Sequence, residues 1–317
     1  MDIREGVAMY RLVVLGLLSL ISLPAAADVA VEIVDYPTSV LRYSPVFVTG
    51  RIYNRGSSPV LVPVSNYTAN RYFVEVGRTP ESLTEQRLAS ASTASSDLVW
   101  LKPGQSWLFR VDIGFWLWSD DLGRYFIRVG LNGNGECLYR SWGDEGLPLK
   151  ALVKEPGREI YECWSGHEVS EIISIDVHEP DAAIDRQALE FIRSTEFPVN
   201  CCLEDRFYLR LQFGAAALLK QFPTSHYTYA GIFLGGMNAP ESLQRLLELQ
   251  PTHPLTPYTR LQRALALINT GRGAEVTPSS VDALDLPEVL KDYLMQEKVL
   301  HEKRQKRSVG HGDLGAK

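Results

Sequence analysis

Cys163 and His167, in the stretch Glu162-Cys163-Trp164-Ser165-Gly166-His167, come nearest to a nucleophile and its base. A thiolate reacts only with a base or cation beside it. Positions four apart on an extended strand lie about 13 Å from each other. No third group orients the pair, so no catalytic residue is assigned. A disulfide between Cys137 and Cys163 is the expectation in an oxidising compartment. It closes a loop of about 26 residues and stabilises by about 3 kcal/mol through the unfolded chain. Cys201 and Cys202 are adjacent. Four cysteines permit three full pairings, among which sequence does not choose.

Six histidines stand at 167, 178, 226, 253, 301 and 311, none at a metal-ligand spacing from Asp, Glu or Cys. The sequence holds no phosphate loop, no Gly-x-Gly-x-x-Gly opening a helix, no His-Glu-x-x-His and no Gly-x-Ser-x-Gly elbow. No cofactor and no enzymatic activity are expected. The aromatic residues are more informative. All six tryptophans lie between Trp100 and Trp164. Trp116 and Trp118, on one exposed sheet face, would stack on sugar rings or anchor a protein partner. Core filling and packing against a second domain are the alternative.

These residues sit in a segment that alternates like strands. Val29–Val34, Val46–Tyr53, Val60–Val64, Tyr72–Val76, Gln105–Ile113, Tyr125–Leu131, Leu149–Val153, Ile160–Trp164 and Ile172–Val177 are short apolar runs. Turn residues separate them, at Asn54-Arg55-Gly56, Pro103-Gly104, Asn132-Gly133-Asn134-Gly135 and Glu155-Pro156-Gly157. Such spacing predicts a β-sandwich, with each sheet burying one face. Pro80 to Asp97, rich in Ser, Thr, Ala and Glu, reads as a surface loop.

Asp121-Leu122-Gly123-Arg124-Tyr125 looks like a tyrosine corner. Leu101-Lys102-Pro103-Gly104-Gln105-Ser106 resembles the turn before that corner in bacterial immunoglobulin-like modules, and Ser44-Pro45-Val46-Phe47-Val48 with Asn54 resembles their second strand. The resemblance covers roughly residues 30–177 and implies a fold, not a function.

The pattern changes at Glu179-Pro180-Asp181, where Asp181 is expected to cap a helix. Helices are predicted over Leu203–Phe222, Ser225–Leu234, Pro240–Gln250, Pro257–Asn269 and Pro287–Lys303, several opening on proline. Leu218-Leu219-Lys220-Gln221-Phe222-Pro223-Thr224 is echoed 28 residues later by Leu246-Leu247-Glu248-Leu249-Gln250-Pro251-Thr252. The turn Phe222–Tyr227 with Ala230 resembles that of tetratricopeptide-like helical hairpins. Hairpins of that kind stack to bury a shared face and leave a concave binding surface.

Arg4 and Arg11, the apolar run Leu12–Leu23 and Ala25-Ala26-Ala27 form a signal peptide over residues 1–27, with Met1 or Met9 as the start. The run is too short to span a bilayer. The expected division is thus a signal peptide at 1–27, an immunoglobulin-like β-sandwich at 28–178, a helical hairpin array at 179–305 and a disordered basic tail at 306–317. The chain of 317 residues carries a net charge of −6, without general attraction for nucleic acid. No transmembrane segment is expected after cleavage. The sequence therefore predicts an exported, periplasmic or secreted, non-enzymatic protein-binding or scaffold protein, two-domain, all-β plus all-α, with a protein or peptide partner. A carbohydrate-binding sandwich and an immunoglobulin-like protease inhibitor are the alternatives.

Overall fold

A computed structural model describes residues 29–63, 72–87, 98–117, 122–139, 151–155, 158–195, 206–236 and 239–311. The signal segment, Trp118, the Cys201-Cys202 pair and residues 312–317 lie outside the described residues. The chain begins with β1 (Val29–Asp35), β2 (Ser39–Leu41), β3 (Phe47–Asn54), β4 (Val60–Pro63), β5 (Tyr72–Gly77), β6 (Thr84–Arg87), β7 (Leu98–Leu101) and β8 (Ser106–Asp112). After a helical turn, α1 (Gly114–Leu117), come β9 (Gly123–Tyr139), β10 (Ala151–Glu155), β11 (Arg158–Val169) and β12 (Ile173–His178). A helical region follows: α2 (Ala183–Ser194), α3 (Arg206–Gln221), α4 (His226–Gly235), α5 (Pro240–Leu249), α6 (Thr256–Leu267), α7 (Pro278–Asp282) and α8 (Glu288–His311).

One sheet runs β1-β3-β8; the larger runs β10-β11-β9-β12-β2, with β5 also on β9 and β6 on β5; β4 pairs with β7. Val48, Ile52, Phe109 and Val111 of the small sheet meet Val74, Ile127, Val129 and Ile175 of the large one in a single core. Apolar side chains on alternate positions thus leave the water between two sheets.

The small sheet departs from the one-buried-face expectation. The opposite face of β3 and β8 is buried too, with Phe47 packed among Leu211, Phe233 and Leu243, and Leu108 among Leu261, Leu290 and Leu294. Burial on both faces removes the alternation that a half-exposed strand shows. β8 ends that sheet, and the backbone N–H and C=O of Leu108 bond the side-chain amide of Gln296, from α8, at 2.8 and 2.6 Å.

Four local expectations are corrected. Asn132-Gly133-Asn134-Gly135 is not a turn between strands, because β9 runs straight through it. Gly135 there takes φ +80° and the ladder with β11 shifts register between Glu162 and Ser165. Such a bulge absorbs turn residues without ending a strand. Thr84–Arg87, placed in a loop, pairs with β5 instead. Asp181 does not cap α2: Ala182 holds that position without a side-chain bond. Finally, helix α8 continues to His311, past residue 306 where a disordered tail was expected. Lys298–Glu302 and His301–Gln305 pairs, four residues apart, support that helix.

Candidate functional site

The β-sheet domain meets the helices along the outer face of β3 and β8. Phe47 packs edge-on against Phe233, with ring centroids 5.7 Å apart, and lies 6.0 Å from Tyr258. The guanidinium of Arg110 covers the Phe47 ring at 3.8 Å and the Tyr258 ring at 5.3 Å. A cation on an aromatic face keeps part of its solvation when buried.

Asp35, Thr49 and Arg110 stand side by side across the three strands, since Asp35 faces Thr49 and Thr49 faces Arg110. Asp35 reaches this row because β1 shifts register between Ile33 and Asp35. The Asp35 Oδ2, Thr49 Oγ1, and Arg110 Nε and Nη2 atoms are all buried without a hydrogen-bond partner. Burial holds the Asp35 carboxyl above its ordinary range, against the pull of Arg110. Burial also lowers Arg110, opposed by Tyr293, Tyr258, Asp112 and Asp35. The Asp112 carboxyl is pushed up to about 6 by burial, with the N–H groups of Gly114 and Val46 opposing. Thr49→Val removes a buried hydroxyl that bonds nothing. It is expected to raise stability by about 1 kcal/mol, read as a higher urea midpoint. A loss instead would mean that water bridges the row.

A second polar chain crosses the same boundary. Leu255 N–H donates to His253 Nδ1 at 3.1 Å, so the proton of a neutral His253 sits on Nε2. Nε2–H then donates to His226 Nδ1 at 3.1 Å, which leaves the His226 proton on Nε2, facing Ser44 Oγ at 2.6 Å. His226 donates to Ser44 and so does not take its proton, which is the reverse of a serine nucleophile and its base. Burial holds both imidazoles neutral, lowering His226 to about 4 and His253 to about 3, with the neighbouring His226 also lowering His253. His253 stacks on Tyr229 at 3.8 Å. Sequence reading missed this pair, although the internal echo carries it: Pro-Thr-Ser-His ends at His226 and Pro-Thr-His at His253.

Residues expected to do chemistry lie elsewhere. Cys163 is buried on β11. His167 stacks on Phe73 at 5.1 Å and donates from Nδ1 to Asn132 Oδ1 at 2.6 Å. Cys137 stands opposite Tyr161 on β9. Trp116 is not on a sheet face. It belongs to the α1 turn, half-buried against the sandwich core. It also forms one wall of an open groove of about 510 Å³ with Arg78, Thr84, Gln86 and Tyr125. Among the described residues no group of three or more His, Cys, Asp or Glu is placed to hold a metal. No helix among them is long and apolar enough to cross a membrane.

The helical region carries a groove of about 290 Å³ between α3, α4 and α5. Ala215, Gly231 and Gly235 are its small-residue floor, Leu219 and Leu249 its aliphatic walls, and Arg245 the one charged residue lining it. The floor is low because the helices touch there: a Cβ on Gly231 would lie 2.6 Å from the Leu211 carbonyl oxygen. Leu249 is 47% exposed, a large apolar side chain open to water.

No protein-family model matches the sequence, and no curated protein matches it. Among solved structures, a CARDB domain from Pyrococcus furiosus, determined with di-metal ions, superposes at 15% identity. The match covers 49% of this chain and 97% of that one, with a TM-score of 0.25. A β-glucosidase from Listeria innocua matches at 10% identity over 48% of this chain and 16% of its own, also at TM-score 0.25. The sporulation control protein Spo0M of Bacillus subtilis matches at 11% identity, over 53% and 55% of the two chains, at TM-score 0.25. A likeness this slight assigns neither family nor activity.

Proposed function

We propose that the chain is an exported, non-enzymatic binding protein whose helices take a peptide segment of a protein partner in the groove between α3, α4 and α5. The groove itself carries the reading: a small-residue floor and aliphatic walls fit one or two apolar side chains, and Arg245 fits a carboxylate beside them. The occupant is thus a segment with an aliphatic residue next to an acidic one. The direction of the His226–Ser44 hydrogen bond supports a non-enzymatic role, because it offers no activated hydroxyl.

Gly235→Leu tests this. A Cβ there has no neighbour nearer than 3.6 Å, so the substitution fills the groove without striking backbone. Full-length protein on an array of short aliphatic-acidic peptides is expected to bind a subset, and Gly235→Leu to weaken that binding at least tenfold with an unchanged circular dichroism spectrum. An array with no binders, or binders indifferent to Gly235→Leu, sinks the reading.

The reading includes a signal peptide over residues 1–27, an immunoglobulin-like sandwich, tetratricopeptide-like stacking of the helices, and a Cys137–Cys163 disulfide. Two observations support the disulfide: Cys163 is half of a disulfide bond, and Cys137 lies opposite Tyr161 on the neighbouring strand. Equivalent helix ends at Gln221 and Leu249, tied by the Gln250 side chain donating to the Pro223 carbonyl, support the stacking.

A second reading, sugar binding at Trp116, is favoured by its place on the wall of the sandwich groove beside Arg78 and Gln86. Tryptophan fluorescence across a glycan panel separates it from the first.

A further inference from the structure

The Ser44–His226–His253 chain joins two bodies of structure through hydrogen bonds that hold for one protonation state only. Ser44 belongs to the segment between β2 and β3; His226 opens α4; His253 precedes α6. With both rings neutral, each N–H in the chain meets an acceptor. A proton added to His226 goes to Nδ1 and faces the His253 Nε2–H across 3.1 Å, and one added to His253 goes to Nδ1 and faces the Leu255 N–H, also at 3.1 Å.

The surroundings give an added proton nowhere to go. On α2, the Asp185 Oδ1 atom already accepts from the Ser225 hydroxyl and the His226 backbone N–H. Between β12 and α2, Glu179 pairs with Arg42 of the β-sheet domain. Arg193, on α2, lies over the Tyr43 ring, and the Tyr227 hydroxyl, on α4, donates to the Arg42 carbonyl at 2.9 Å. Tyr229 covers the other face of the His253 ring. Of these charges Asp185 acts on His253 and raises it, but burial and His226 prevail, while Glu179, Arg193 and Arg42 act on Tyr227.

We propose that this chain is an acid-sensitive latch, closed when both imidazoles are neutral and released by a proton on either, so that α4 parts from the segment carrying Arg42 and Ser44. The released state binds protons that the closed state excludes. Below pH about 6.5 the closing equilibrium therefore falls by up to tenfold per pH unit for each histidine. The fall continues to about pH 4, where His226 itself titrates in the closed state. Asp112, raised to about 6, acts in the same range with opposite sign, so the comparison is with a variant lacking the histidines.

Hydrogen exchange of the full chain reads the latch, with rates corrected for intrinsic pH dependence. Protection in α4 and in residues 42–47 is expected to fall at least tenfold between pH 7 and pH 5, while β5 keeps its protection. The H226Q/H253Q variant is expected to keep protection throughout. Unchanged wild-type protection down to pH 4.5 overturns the proposal, as does an equal loss in the variant. Should that variant not fold, imidazole nitrogen shifts of the wild type decide. Two neutral rings protonated on Nε2 at pH 6.5 are expected, and a charged ring at that pH overturns the latch.

Discussion

Phe47→Ala is expected to cost about 4 kcal/mol and to divide one thermal transition into two. The side chain is 4% exposed and lies among Leu211, Phe233 and Leu243 of the helical region, under the Arg110 guanidinium. Truncating a buried phenylalanine removes its transfer free energy and leaves a cavity, typically 3–5 kcal/mol together. Here it also strips Arg110 of a ring face at 3.8 Å. The loss falls on the boundary between the two halves, so their cooperativity should suffer more than either core. The sequence provides separate reporters: all six tryptophans lie between residues 100 and 164, whereas helicity lies mainly beyond residue 182. Tryptophan fluorescence and ellipticity at 222 nm should melt together in the wild type and apart in Phe47→Ala. Coincident melting with a loss under 1 kcal/mol would show that Phe47 does not couple the halves.

Gly130→Ala is expected to destabilise by about 3 kcal/mol although it adds only a methyl group. Gly130 on β9 faces Phe73 on β5, and a Cβ would lie 2.0 Å from the Phe73 Cζ atom. Phe73 is 2% exposed and has His167 stacked on it, so the ring has no free volume to enter. Overpacking of this kind typically costs 1–3 kcal/mol, and a ring pinned on both faces belongs at the upper end. Gly50, opposite Phe109, repeats the arrangement in the other sheet, with a Cβ at 2.2 Å from Phe109 Cζ. Neither glycine has a positive φ. Each serves to seat a ring. Urea unfolding measures the effect, and a change below 1 kcal/mol would mean that Phe73 finds another rotamer at little cost.

Much of the strand order was legible because β-branched and aromatic runs such as Val46–Tyr53 and Tyr72–Val76 have no other stable use between turn residues. Thr84–Arg87 was not, since a polar edge strand bonded to β5 alone needs no apolar side chain. The helix ends at Gln221 and Leu249 were legible from proline, but the contact between His226 and His253 was not. Residues 27 apart in sequence meet only because two turns stack, and nothing local encodes that. Trp116 was open between an exposed sheet face and the core, and it packs against the core from the helical turn that Gly114 starts. A Cβ on Gly114 would lie 2.8 Å from the Ser44 carbonyl oxygen, so the chain bends closely past the 44–46 segment. Phe47 and Arg110 were readable as strand residues and not as boundary residues, because period two gives the faces of a strand without saying what covers each.

The bonds from Leu108 to Gln296 bear on more than packing. An unpaired strand edge is a template for any extended chain, including another copy of the same protein. A glutamine amide offers one donor and one acceptor at the spacing of a neighbouring backbone, so Gln296 occupies part of that template on β8. Helix α8 therefore covers the β8 edge at Leu108, and parting the helices from the small sheet would leave those backbone groups open to another strand. Whatever loosens the boundary also uncovers an adhesive edge, which gives the protein a reason to keep its two halves closed wherever it is concentrated.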